Sequence, residues 1–149
     1  MEKTLPMHLR TLAQPNRFPR RQQTVTEECF MPNQPIPKVT EDDVMRVVRR
    51  DFPSQHIDEV LAVLARYGEG DGSADVSRVR LAVLKLAAGN LERLRKQVET
   101  ARCDFRDVLA FAEYPEYFAR VTGAADQSRE KVQRIIDADW NQYQEWLQR

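Results

Sequence analysis

From Thr40 to the C-terminus the apolar residues of this chain recur three and four positions apart, a period that admits helices and little else. No segment shows the polar–apolar alternation of a half-buried strand. Thr40 with Asp43 resembles a capping box, and Val44, Val47 and Val48 give the helix it opens one apolar face. Pro53 and Ser54 close that helix and open a second, where Ile57, Val60, Leu61, Leu64 and Tyr67 line one side until Gly68. The third helix, from Asp75 to Ala88, carries Val76, Val79, Ala82, Val83 and Leu86 on one side and Leu81, Leu84 and Ala88 on the other. A helix apolar nearly all round is buried, which predicts a central position. Gly89 ends it, and Asn90 caps a fourth helix with Leu91, Leu94, Val98 and Ala101 inward. Asp104 and Asp107 open a fifth that buries Phe105, Val108, Leu109 and Ala112, and Tyr114 before Pro115 predicts a break. The last helix, from Ser128, carries Val132, Ile135, Ile136, Trp140, Tyr143, Trp146 and Leu147. The expected fold is all-α: a single compact bundle of about six helices in antiparallel hairpins, over residues 39–149.

The N-terminal part is different. Pro6, Pro15, Pro19, Pro32, Pro35 and Pro37 are six of the chain's eight prolines, and no apolar period accompanies them. Residues 1–38 therefore read as a disordered, proline-rich arm, with Met31 a candidate for the true start of translation. The arginine-rich opening resembles a transit peptide, but Pro6, Pro15 and Pro19 would break the helix such peptides use. No apolar run approaches the roughly 18 residues of a membrane span, and residues 1–30 lack the apolar centre of a secretory signal, so a cytoplasmic protein is expected.

Charge and motif narrow the function classes. With 23 basic and 23 acidic residues, no global field draws the chain to nucleic acid or an anionic membrane. Cys29 and Cys103 are far apart and have no ligand-spaced partners, which indicates neither a disulfide framework nor zinc. In the glycine-rich stretch 68–75, Asp71, Ser73 and Asp75 suit a calcium loop, but Val76 replaces its turn glycine and Ala82 its closing glutamate. A linker is the expectation there. His8 falls in the arm and His56 at the edge of an apolar face. The pairs Asp104/Asp107, Glu113/Glu116 and Asp137/Asp139 are explained by caps, solvated turns and divergent spacing. No nucleophile elbow or metal-binding histidine pair occurs, so no catalytic, cofactor or metal residue is nominated, and a small enzyme whose carboxylate chemistry carries no motif stands only as an alternative.

Between Arg78 and Arg106 lie eight basic and three acidic residues, which raises nucleic-acid binding as a rival. A helix-turn-helix match fails at Lys85, where a small residue is needed, and at Asn90, where an apolar one is. Glu92 with Lys96, and Glu99 with Arg95 and Arg102, instead suggest a salt-bridged outer face. The corner from Ala88 to Glu99 is similar to that of ankyrin-type hairpins, but a single copy makes no solenoid.

Three stretches carry a wider resemblance: Leu84-Lys-Leu-Ala-Ala-Gly-Asn-Leu-Glu-Arg-Leu, Asp104-Phe-Arg-Asp-Val-Leu-Ala-Phe-Ala-Glu-Tyr-Pro115, and Asp137-Ala-Asp-Trp-x-x-Tyr-x-x-Trp-Leu. Together they look like a group of small, uncharacterised bacterial proteins from Thr40 onward, which implies a bacterial cytosolic origin and no activity. The expectation is a non-enzymatic helical module with another protein as its partner; Tyr114, Tyr117 and Trp146, beside Phe111 and Phe118, are either its docking surface or the completion of its core. On helical geometry Asp139 falls inside the apolar arc of the last helix and Arg80 inside that of the third. The two either form a partly buried ion pair or both reach water at the domain edge, the arginine by extending along its stem.

Overall fold

A helix leaves its first backbone N–H groups without partners, and four helices of this chain begin where a side chain accepts from one of them. Thr40 and Asp43 do so reciprocally: Asp43 N donates to Thr40 Oγ1 at 3.4 Å, and Thr40 N to Asp43 Oδ2 at 2.9 Å. Asp75 Oδ1 accepts from Arg78 N at 3.0 Å, Asn90 Oδ1 from Arg93 N at 2.9 Å, and Ser128 Oγ from Lys131 N at 3.3 Å. The computed structural model describes residues 33–68, 75–121 and 128–149. Among them the helices are α1 (Glu41–Asp51), α2 (Ile57–Ala65, after a 3-10 turn at Ser54–His56), α3 (Val76–Ala87), α4 (Leu91–Glu113), α5 (Pro115–Val121) and α6 (Arg129–Gln148), and there is no strand. The molecule is an all-α bundle, and among the described residues no helix is long and apolar enough to cross a membrane.

The main core gathers Val44, Val47 and Val48 of α1, Val60 and Leu64 of α2, Leu94, Val98 and Val108 of α4, and Tyr143 of α6 around α3. Val79, Leu81, Ala82, Val83, Leu84 and Ala87 of α3 are all buried, so this helix holds the central place its all-round apolar surface demands. The turn that follows is tight. Ala88 and Gly89 are both left-handed, with φ of 49° and 73°. A Cβ on residue 89 would stand 2.7 Å from the Asp51 carbonyl oxygen, so only glycine lets this turn rest on the end of α1. Beside this turn, Arg46 Nη1 donates to Leu147 O at 2.6 Å and Arg50 Nη1 to Trp146 O at 2.7 Å. Both satisfy carbonyls in the last turn of α6.

Two expectations change. The fourth and fifth helices of the sequence reading are halves of α4, joined at Asp104, whose φ of −152° and ψ of 101° interrupt the helix. Asp104 Oδ1 caps the second half by accepting from Arg106 N at 3.0 Å. The arm also ends sooner than residue 38. Asn33 to Lys38 run extended along the body, with Pro37 buried, because proline forbids helix without forbidding packing. The rest of the expected arm, residues 1–32 with His8, Cys29 and Met31, lies outside the described residues, as do residues 69–74 of the expected linker.

Behind the break at Tyr114 sits a second, smaller core. Tyr114, Val132 and Ile136 are buried there, with Tyr117, Phe118, Val121 and Trp140 packed against them.

Candidate functional site

Where the extended segment 33–37 meets the second half of α4 and the start of α5, it leaves a cleft of about 260 Å3. Pro35 and Ile36 form one wall, Leu109 and Ala110 of α4 another, and Phe118 of α5 closes an end. Arg78, Arg106, Glu113 and Tyr114 supply the polar part of its lining. Ile36 and Phe111 are the two large apolar residues most open to water among those described, at 66% and 58% exposure. Phe111 rides on the same turn of α4 as Ala110.

The polar groups are bound to one another. Arg78 Nε donates to Glu113 Oε1 at 2.7 Å and Arg78 Nη2 to Glu113 Oε2 at 2.5 Å, a two-pronged pair with the carboxylate buried. Those hydrogen bonds hold the guanidinium pKa above its ordinary value against the opposing effect of burial. Arg106 grips Asp104 in the same way, Nε to Oδ1 at 2.9 Å and Nη2 to Oδ2 at 2.7 Å. The Tyr114 hydroxyl donates to Pro35 O. Burial, reinforced by the Glu113 charge, pushes that hydroxyl's pKa up to about 12.

On the far side of Glu113 the same joint is held by Lys85 and Asp139. Lys85 Nζ donates to Ala112 O at 2.6 Å and to Gln142 Oε1 at 3.2 Å, and lies 4.9 Å from the Tyr143 ring centroid. Burial lowers its pKa. Asp139 is 3% exposed, and its oxygens accept from Glu116 N at 3.3 Å and Tyr117 N at 2.9 Å, capping α5 from outside the helix. Burial raises its pKa, more than the two backbone N–H groups lower it.

Of the two roles open to the aromatic residues nominated from sequence, surface and core, they fall mainly on the side of the core. Tyr114 is 4% exposed and belongs to the second core, showing only the edge that lines the cleft beneath Pro35. Tyr117 is half-buried, edge-on to Phe118 with ring centroids 5.2 Å apart. Trp146 packs on the main core beside Tyr143, with the Arg50 guanidinium 5.2 Å from its ring centroid. The three do not form one patch. A break at Pro115 turns aromatic residues inward as readily as outward, and the small core needed them.

The Arg80–Asp139 pair does not form either. Arg80 Nη1 pairs with Glu41 at 3.0 Å and Arg80 Nη2 donates to Tyr67 O at 3.1 Å, so the side chain reaches toward α1. The helical wheel places Asp139 correctly in the buried arc, but the backbone of α5 meets it first. The buried pair is Arg78–Glu113, which the sequence reading missed. A signal existed: Glu113 lies four residues beyond Leu109, on the edge of the apolar arc, where a solvated turn was the simpler explanation.

The basic stretch is largely neutralised. Arg95 pairs with Glu59 and Glu92, Arg66 with Glu99 at 2.6 Å, and Arg102 with Glu99 at 3.4 Å. Glu92 thus engages Arg95 rather than the expected Lys96. His56 Nδ1 stands 3.7 Å from Glu59 Oε2 at the surface. Among the described residues no group of three or more histidines, cysteines and carboxylates could hold a metal ion. Comparison with protein-family models, curated proteins and solved structures finds no match to the chain.

Proposed function

We propose that this chain is a non-enzymatic helical protein-interaction module, an adaptor, regulator or toxin-neutralising partner acting in the cytoplasm, and that its contact face is the cleft beside Ile36. One observation carries the reading. Ile36, 66% exposed, stands at the lip of an apolar-walled cleft whose charged lining is already paired, Arg78 with Glu113 and Arg106 with Asp104. An apolar centre bordered by satisfied polar groups is the anatomy of a protein contact.

The test is selection of peptides from an unbiased display library on the immobilised full-length protein. Peptides that bind the wild type are expected to lose at least about tenfold in affinity against Ala110→Arg, which fills the cleft, or against Ile36→Asp, which puts a charge at its lip. Both positions are solvent-accessible, so circular dichroism should be unchanged. If no selected peptide responds to either change, the cleft is not the contact face.

A further inference from the structure

Residues 33–37 read Asn-Gln-Pro-Ile-Pro, and their chemistry dictates how they can be held. Pro35 and Pro37 fix their own φ, and Gln34 and Ile36, each preceding a proline, are driven into the extended region. A chain in that polyproline-type conformation makes no hydrogen bonds to itself, so its carbonyls must find donors elsewhere. The body provides them at a two-residue interval. Gln133 Nε2 donates to Asn33 O at 3.2 Å, and the Tyr114 hydroxyl donates to Pro35 O. Gln133 is itself steadied by a second bond, Nε2 to Asp137 Oδ1 at 2.9 Å. Pro37 is buried, while Tyr114 and Phe118 supply aromatic surface alongside.

From this we infer that the seat of residues 33–37 is a groove for proline-rich peptides, filled here by the chain's own segment, and that its partner in trans is an extended proline-rich segment of another protein. The inference rests on the interaction-module reading and names its ligand. The seat recognises main-chain carbonyls, the buried Pro37 and the half-buried Pro35, as aromatic-lined proline-peptide grooves do. It does not read the residues between: Gln34 is half-buried and Ile36 is exposed. Another x-Pro-x-Pro segment therefore meets the same donors and the same aromatic wall. Gln34, Pro35 and Ile36 also line the cleft, so displacing them would open seat and cleft as one surface.

The probe is a fluorescent peptide copying residues 31–39, measured against the full-length chain by anisotropy. Because the tethered segment competes at high effective concentration, wild type should bind the probe weakly. The variant Pro35→Gly with Pro37→Gly, whose own segment no longer holds its extended form, should bind at least about tenfold more tightly. Adding Tyr114→Phe should then cost about fivefold, the loss of one neutral hydrogen bond. A probe with alanine at both prolines should fail. Should the double glycine variant lose its helical circular dichroism, Pro35→Gly alone keeps the buried Pro37 and carries the same comparison.

Equal binding of the proline and alanine probes, or no binding to the folded glycine variant, would overturn the proline groove. The module reading survives that result if library-selected peptides still bind, and falls with it if they do not. A wild-type dimer that the free probe converts to monomer would assign the seat to the same segment of a second copy, which also overturns a separate partner.

Discussion

The two cores of this protein are secured in different ways. The main core is built around α3 from side chains of α1 to α4, mostly aliphatic, with Phe52, Tyr67, and Tyr143 and Leu147 of α6, and its polar contacts, such as those of Arg46 and Arg50 with the end of α6, lie at its rim. The small core behind Tyr114 has three buried members, and polar bonds that cross its boundary hold it in place. Asp139 caps α5, Tyr114 holds the extended segment, and Arg78–Glu113 with Lys85 ties the end of α4 back to α3. Burial is nondirectional and tolerates sliding, whereas hydrogen bonds fix register. The region too small to be specified by packing is the one specified by polar contacts, and it is the region beside the cleft.

Four changes would break or sharpen that contrast. The largest effect is expected from Leu84→Ala at the fully buried centre of the main core, about 4 kcal/mol from lost burial and the cavity left behind. Urea unfolding should show one shifted transition, with amide protection falling in α5 together with the rest. If only part of the molecule weakens, the two cores are independent.

Glu113→Ala should come next, at about 3 kcal/mol, because it strands the Arg78 guanidinium at the joint between the cores. Arg78→Met combined with Glu113→Leu should recover most of the loss. A double-mutant cycle with coupling near zero would show that the pair contributes nothing to the joint.

Asp139→Asn is expected to act locally and to shift global stability by no more than about 1 kcal/mol at neutral pH, since an amide oxygen accepts from the α5 backbone more weakly than a carboxylate but relieves the cost of the buried charge. Hydrogen exchange at the Glu116 and Tyr117 amides should quicken while the global transition stays put. The pH dependence has a definite sign. Burial raises the folded pKa of Asp139 above the ordinary 3.8, so the native state binds the proton more tightly than the unfolded chain does. Its contribution is fully present below about pH 4 and is lost as pH rises through the folded pKa. The stability of wild type relative to Asp139→Asn should decline over that interval, and a difference that instead grows with pH would contradict it.

The smallest effect is expected from Tyr143→Phe, with the opposite sign. The Tyr143 hydroxyl is buried and no group among the described residues lies within hydrogen-bond reach of it. Removing it should raise stability by about 1 kcal/mol in the urea midpoint. A loss of stability would mean that the hydroxyl is satisfied after all.

The main core was the legible part. Its helices are amphipathic over several turns, their caps are local, and both signals are written in neighbouring residues, as Thr40 with Asp43 and the all-round apolar α3 illustrate. The cleft was not legible, for physical reasons that can be named. Asp139 could be placed on a face, but its partners are backbone N–H groups, which leave no trace in residue identity. Glu113 lies beside a predicted break, where a solvated turn explains a carboxylate as well as burial does. Tyr114 and Tyr117 are amphipathic enough to serve either a surface or a core, and the choice depended on how α5 folds back onto α6. The seat of residues 33–37 was hidden by the prolines themselves, which announce the absence of helix and say nothing about contact.

The two arginines of α1 that reach the end of α6 carry a consequence for the order of folding. Arg46 and Leu147 are 101 residues apart in sequence, whereas the α3–α4 hairpin closes through a turn of three residues, Ala88 to Asn90. Closing the longer loop costs more chain entropy and brings its contacts late. The arginine bonds to the last carbonyls of α6 are therefore expected to form late, so that Arg46→Met should speed unfolding and leave the refolding rate unchanged. Contacts of that kind scarcely hasten folding; they lengthen the lifetime of the native state by slowing the departure of α6.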